Sequence, residues 1–214
     1  MKRVTLFCGH YGSGKTNIAV NYAIKLKASG LDTALADIDV VNPYFRSADS
    51  RAELEGQGIS VIALPFANTN VDLPALPSEV YGLVQRRDIH AVLDVGGDDR
   101  GAYALGRFTP YILEENDYDM LLVLNFYRPL TQTPAEALEV MREIEGAAGV
   151  RFTGAVNNSN LGAETTAADV ERTDLLAKEF CRAAGIPLAF TSFDSRLSVN
   201  CEHPFPMKLQ PKLI

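Results

Sequence analysis

Seven short apolar runs alternate with helix-patterned stretches along the chain, and this alternation narrows its folding options more than any other feature. The runs are Val4–Cys8, Thr33–Ile38, Ile59–Leu64, Ala91–Val95, Met120–Phe126, Phe152–Val156 and Leu188–Thr191. The helical stretches are Thr16–Ala28, Ser47–Gly56, Ser78–Arg87, Gly101–Leu113, Pro134–Ala147 and Ala167–Ala184, several with Pro, Ser or Thr near the start and Gly near the end. Strands that are apolar on both faces and separated by helices imply a sheet covered on both sides. The expected fold is therefore α/β: a three-layer sandwich with a mostly parallel sheet of about seven strands and helices on both faces. A chain of 214 residues suits one such domain, spanning residues 1–214.

Ligands of such sheets sit beyond the carboxyl ends of the strands, so the residues just after each run are the ones to read for chemistry. After the first run stands G-H-Y-G-S-G-K-T, Gly9 to Thr16, a complete G-x-x-x-x-G-K-T phosphate loop that opens directly into a helical pattern. Gly9, Gly12 and Gly14 allow the backbone N–H groups around Ser13 to turn inward on phosphate oxygens, with Asn17 in the first helical turn beyond them. Lys15 carries a charge to the β and γ phosphates, and the Thr16 hydroxyl is placed to ligate Mg²⁺.

Four further clusters stand at strand ends. Asp94-Val95-Gly96-Gly97 reads D-x-x-G, in which the carboxylate holds Mg²⁺ and the Gly97 N–H meets a γ-phosphate. Asp37 and Asp39 lie two residues apart and so face the same side of an extended strand; Asp37 is assigned to the metal and Asp39 to orienting the attacking water. Asn157-Asn158 ends the sixth run, and Phe193-Asp194 follows what reads as the last strand. The expected catalytic residues are thus Lys15, Asp39 and Asp94, and the expected metal residues are Thr16, Asp37 and Asp94. The aromatic and basic segment Asn42–Arg46 reads as a switch-linked partner surface, and Phe66–Pro77 as a surface connection. Arg46, Arg100 and Arg107 are the few residues that hint at a further anion.

Composition excludes several classes. A formal charge of −7 argues against nucleic acid or an anionic membrane as the partner of the whole surface. Cys8, Cys181 and Cys201 are widely spaced, with no metal-ligand or disulfide pattern. No stretch approaches the length of a membrane span, and the first apolar run is too short for a signal sequence, so the expected location is cytoplasmic.

With these stations in this order, nearly the whole chain resembles the ParA/MinD-like ATPases of chromosome partitioning and septum positioning, the nitrogenase iron protein and the nucleotide-binding domain of cobyrinic acid diamide synthase. The likeness rests on Gly9–Thr16, Asp37 and Asp39, Asp94–Gly97 and Val156-Asn157-Asn158. It implies ATP and Mg²⁺ as cofactors, Asn157 as the reader of adenine, an unidentified protein partner, a homodimer, and a role as a nucleotide switch in maturation of a metal- or corrinoid-dependent enzyme. Guanine-specific relatives carry N-K-x-D after this strand, and the chain has none, which favours ATP over GTP.

The chain departs from that family at His10, where the partitioning and nitrogenase-type proteins carry a second loop lysine that reaches the partner's nucleotide. A neutral imidazole does not replace a permanent cation. In this respect the loop looks more like that of the nickel-insertion GTPases. The tail from Cys201, with three prolines after His203, does not form the membrane helix of septum-positioning relatives and is expected to pack along the surface. Two alternatives remain: a carboxylate-activating ligase or kinase of the diamide synthase and dethiobiotin synthetase kind, and a nucleotide-binding interaction module with negligible turnover.

Overall fold

The computed structural model describes residues 1–39, 51–63, 78–97 and 99–209. The whole of the expected switch segment Asn42–Arg46, the stretch Phe66–Pro77 and Asp98 lie outside them, as do the side chain of Arg100 and the last five residues. Eight strands form one sheet in the order β3-β2-β4-β1-β5-β6-β7-β8. They are β1 (Val4–Cys8), β2 (Thr33–Ile38), β3 (Ser60–Ala63), β4 (His90–Val95), β5 (Tyr118–Leu124), β6 (Gly154–Asn157), β7 (Leu188–Asp194) and β8 (Pro204–Met207). Every pairing is parallel. The helices are α1 (Lys15–Ala28), α2 (Arg51–Gly56), α3 (Ser78–Gln85), α4 (Asp99–Gly106), α5 (Thr109–Glu115), α6 (Pro134–Ala148) and α7 (Ala167–Ala184).

Strand alternation sorts the apolar residues into two cores. Leu6, Ala36, Leu93 and Leu122 face α3 to α7, packing with Leu83, Phe108, Met141 and Phe180. Phe7, Leu35, Val92 and Val123 face α1 and α2, packing with Ile18, Ala23, Leu26 and Leu54. Both faces are thereby covered, as parallel sheets require. β1 lies between β4 and β5; the connection after β1 leads through α1 to β2 on one side and the connection after β4 leads to β5 on the other, which opens a crevice beyond the carboxyl end of β1. Asp37 and Asp94 pair directly across β2 and β4, on the α1 face of the sheet.

The structure corrects three boundaries. The single helix expected over Gly101–Leu113 is two, α4 and α5, because Pro110 in the first turn of α5 lacks an N–H and begins a helix rather than continuing one. β5 stops at Leu124 because the Asn125 side chain accepts the Tyr127 N–H (3.1 Å) and turns the chain. β7 runs on through Phe193 and Asp194, and it is not the last strand.

The tail adds β8, an eighth strand, instead of lying on the surface. Its residues alternate exposed and buried: Pro204 out, Phe205 in, Pro206 out, Met207 in. His203 O accepts from Thr191 N (2.9 Å) and Met207 O from Ser195 N (2.9 Å). In a parallel ladder only every second residue pairs with a given neighbour, so both prolines turn their donor-less nitrogens to the open edge, where proline is tolerated. Phe205 stacks on Phe190 with centroids 4.5 Å apart, and the Asn21 side chain on α1 both donates to Lys208 O and accepts from Lys208 N (3.0 Å each). Phe205→Ala is expected to lower stability by about 3 kcal/mol, read as a fall in the urea midpoint at constant slope. A tail merely lying on the surface would give less than about 0.5 kcal/mol.

Candidate functional site

β1 ends at Cys8, and the loop Gly9–Gly14 carries the chain into α1. Gly9 has φ 151°, and a Cβ there would stand 2.6 Å from Val123 O on the neighbouring strand. Gly14 has φ 89°, and a Cβ there would collide with the Asn158 amide, which lies across the loop and donates to Ser13 O at 2.7 Å. Glycine is therefore required at these two positions by both backbone and space. α6 and α7 begin with reciprocal capping boxes, Thr133 with Glu136 and Thr166 with Asp169. α1 has no side-chain cap, and its first N–H groups open toward the loop, an arrangement that suits an anion.

The acids arrive from the neighbouring strands. Thr16 Oγ1 donates to Asp94 Oδ2 at 2.5 Å, and Asp94 is 1% exposed. Its other oxygen, Oδ1, is buried with no hydrogen-bond partner among the described residues, and the same holds for Ser13 Oγ and Asn125 Nδ2. A buried acceptor left open beside a hydroxyl is a costly feature without a ligand. Burial pushes the Asp94 carboxyl up to about 7; Lys15 and the Thr16 hydrogen bond pull it back, and Asp39 raises it again. Asp37 Oδ1 accepts the Asp39 N–H at 3.1 Å. A Cβ on Gly96 would meet Asp39 Oδ1 at 3.0 Å, so Asp39 lies against the D-x-x-G segment. Gly97 sits over the loop: a Cβ there would meet Lys15 Nζ and Tyr11 N, each at 2.8 Å.

The structure thus brings Lys15, Thr16, Asp37, Asp39, Asp94 and Gly97 to one place. Asn17, in the first turn of α1, turns its side-chain amide to Met207 Sδ (3.6 Å). Asn157 is fully buried: its amide donates to Thr173 Oγ1 (3.2 Å) and accepts from Ser159 N and Oγ (3.1 and 2.7 Å), so it braces the turn after β6 from beneath. A small open cleft beside it is lined by Asn158, Asn160, Ser192, Phe193 and Asp194, with Met207 from β8. Asn160 and Met207 were not singled out from sequence; N-N-S-N after an apolar run is the one signal that marks Asn160. Arg107 lies in the turn between α4 and α5, well along the chain from the loop.

Among the described residues no group of three or more His, Cys, Asp or Glu forms a metal cage. Mg²⁺ does not need one, since it keeps waters and shares substrate phosphates with one or two protein oxygens. Cys8 is buried in β1, and burial with the Asp94 charge pushes its thiol up, against the pull of Lys15. Among the described residues no helix is long and apolar enough to cross a membrane.

A phosphate-loop motif at the switch point of a parallel sheet, with strand-end acids converging on it, is the arrangement of an α/β P-loop fold. No family model and no curated protein matches the chain. Solved structures do. The cell division protein FtsY from Thermotoga maritima matches with a TM-score of 0.64 at 20% identity, over 91% of this chain and 62% of that one. The signal recognition particle receptor FtsY from Elizabethkingia anophelis in complex with GDP gives 0.59 at 18% identity, over 91% and 57%. The signal recognition particle 54 kDa protein from Aeropyrum pernix, also in complex with GDP, gives 0.55 at 14%, over 89% and 41%. The chain spans about three-fifths or less of the length of these proteins. The likeness shows the fold; it does not show the partitioning-ATPase family.

Asp94→Asn is expected to raise the stability of the nucleotide-free protein. With a folded-state value near 7 and an ordinary unfolded value of 3.8, the unfolded chain ionises first as pH rises, so the burial penalty grows between those limits and is full above pH 7. The melting-temperature gain of the variant should therefore be near zero at pH 4 and largest at pH 7.5. A gain independent of pH would remove Asp94 as its source.

Proposed function

We propose that this protein is a Mg²⁺-dependent ATP-binding protein and ATPase whose nucleotide state switches a protein partner. The observation that carries this reading is the Thr16–Asp94 contact with its open, buried Oδ1 directly below the loop, and Gly97 standing over Lys15. Thr16 and Asp94 would hold the metal, with Asp37 beside them. Bound there, Mg²⁺ would supply charge neutralisation on the phosphates. Lys15 and the N–H groups of the loop and α1 orient the β and γ phosphates and offset their charge. Asp39, which lies against Gly96, would hold a water in line for attack. Ionised Asp94 is the form that serves a metal. Gly96 packs closely on α4, where a Cβ on Gly101 would stand 2.5 Å from the Gly96 Cα, so a shift of Gly96 and Gly97 with the nucleotide would be passed to that helix. That contact gives the phosphate state a route to the surface.

Adenine is favoured by the chemistry of the cleft beside Asn157. A guanine edge offers N1–H and N2–H₂ donors, which suit a free carboxylate. The position after β6 that would supply one holds Asn160, whose amide donates to Asn158 O (2.7 Å) and accepts from Gly162 N (3.2 Å). The cleft's own carboxylate, Asp194, is held by Arg196 Nε (3.0 Å) and Nη2 (2.5 Å), which keep it below the usual carboxylate range. The neutral amides of Asn158 and Asn160, both on the cleft, replace Asn157 as the residues next to the base.

Two measurements test this reading. Lys15→Ala should reduce Mg·ATP affinity at least about a hundredfold, the loss of a charged hydrogen-bonding group worth about 3 kcal/mol; unchanged affinity would end the nucleotide assignment. Competition between ADP and GDP for the loaded site should favour ADP. A preference for GDP, as in the solved FtsY complex, would overturn the adenine part and leave the phosphate site standing.

A further inference from the structure

We infer that Arg128, on the connection between β5 and α6, is a second cation for the bound triphosphate, supplied across the sheet to a loop that has only Lys15 of its own; this rests on the nucleotide reading above. Arg128 Nε donates to Gly12 O at 3.1 Å, and a Cβ on Gly12 would lie 3.6 Å from the same nitrogen. The guanidinium is therefore anchored on the outer lip of the phosphate loop through one nitrogen. Its two terminal nitrogens make no hydrogen bond or ion pair among the described residues. Gly12 is next to Tyr11, whose N–H lies under Gly97, so the group stands at the end of the loop where a γ-phosphate would be read.

The segment that carries Arg128 is held rigidly. Asn125 O accepts Arg128 N (3.1 Å) and Thr131 Oγ1 (2.8 Å), and Asn125 Oδ1 accepts Tyr127 N. Phe126 N donates to Ser159 Oγ at 3.0 Å, tying this turn to the turn after β6. Tyr127 donates to Asp169 Oδ1 (3.0 Å), fixing it to the start of α7. An arginine so mounted loses little further entropy on meeting an oxyanion, and its planar fork suits phosphate oxygens.

Charge balance gives the arginine its purpose. His10 occupies the loop position where the resembled ATPases have a lysine, and burial together with Lys15 pushes the imidazole below its ordinary value, so it is neutral near pH 7. Among the described residues, without Arg128 one ammonium group and a divalent ion would face the whole triphosphate. Arg128 is a permanent positive charge already in contact with the loop, and it has no acid to neutralise it among the described residues.

The test uses the full chain with Mg²⁺ and compares affinity for ATP and ADP, and single-turnover phosphate release, in the wild type, Arg128→Gln and Arg128→Lys. Arg128 is exposed, and unchanged melting of the nucleotide-free variants confirms that they fold. Arg128→Gln is expected to weaken ATP about tenfold and ADP less than about threefold, and to slow phosphate release by about a thousandfold, the low end of what an arginine finger contributes. Arg128→Lys should recover most of the ATP affinity and less of the rate. Equal weakening of ATP and ADP would mean that Arg128 only props the Gly12 carbonyl, and no change in either would remove it from the site; each result overturns the inference. Failure of the wild type to bind ATP would instead sink the nucleotide reading, and this inference with it.

Discussion

The hydrogen bond from Thr16 to Asp94 joins the first turn of α1 to the end of β4, and the arrangement of the site depends on it. It places a carboxylate in the interior at the base of the loop, where burial favours the protonated acid and only Lys15 and the hydroxyl oppose that preference. A cation delivered with phosphate would reverse the balance. On the proposed function, the carboxylate that costs stability by its burial is the one that a cation would offset.

Around this contact the sheet acts as a frame. β1 supplies the loop, while β2 and β4 bring their aspartates in register on the same face. From the other side, Asn158 after β6 clamps Ser13 O, and Ser192 Oγ on β7 donates to Asn158 Oδ1 at 2.7 Å. The clamp therefore reaches from the loop to the strand that pairs with β8. β8 in turn is fastened to α1 through Asn21, so the helix that begins at Lys15 is held both at the site and at the far edge of the sheet. The cleft beside the loop exists because these edges are paired.

Much of this was legible from sequence because it is local. The apolar runs and the G-x-x-x-x-G-K-T loop are short-range patterns, and a parallel sheet with strand-end ligands follows from them by general rules. The aspartates after β2 and β4 were found in the same way. Asn157 illustrates the limit: a polar residue at a strand end reads as a ligand contact, yet its environment includes Thr173 from α7, sixteen residues away, which takes its amide inward. The break at Pro110 was visible in the sequence but yielded to the helical pattern on either side of it.

The sequence by itself determined the class of fold, the phosphate loop and the acids that accompany it, since each is a spacing between neighbouring residues with its own steric or electrostatic reason. Only the tertiary structure decided the order of the strands, the pairing of the proline-bearing tail as β8, the burial that raises Asp94 and the seating of Arg128 on the Gly12 carbonyl, a contact spanning 116 positions of chain. Such contacts depend on how the whole sheet is wound, and no local pattern encodes that winding.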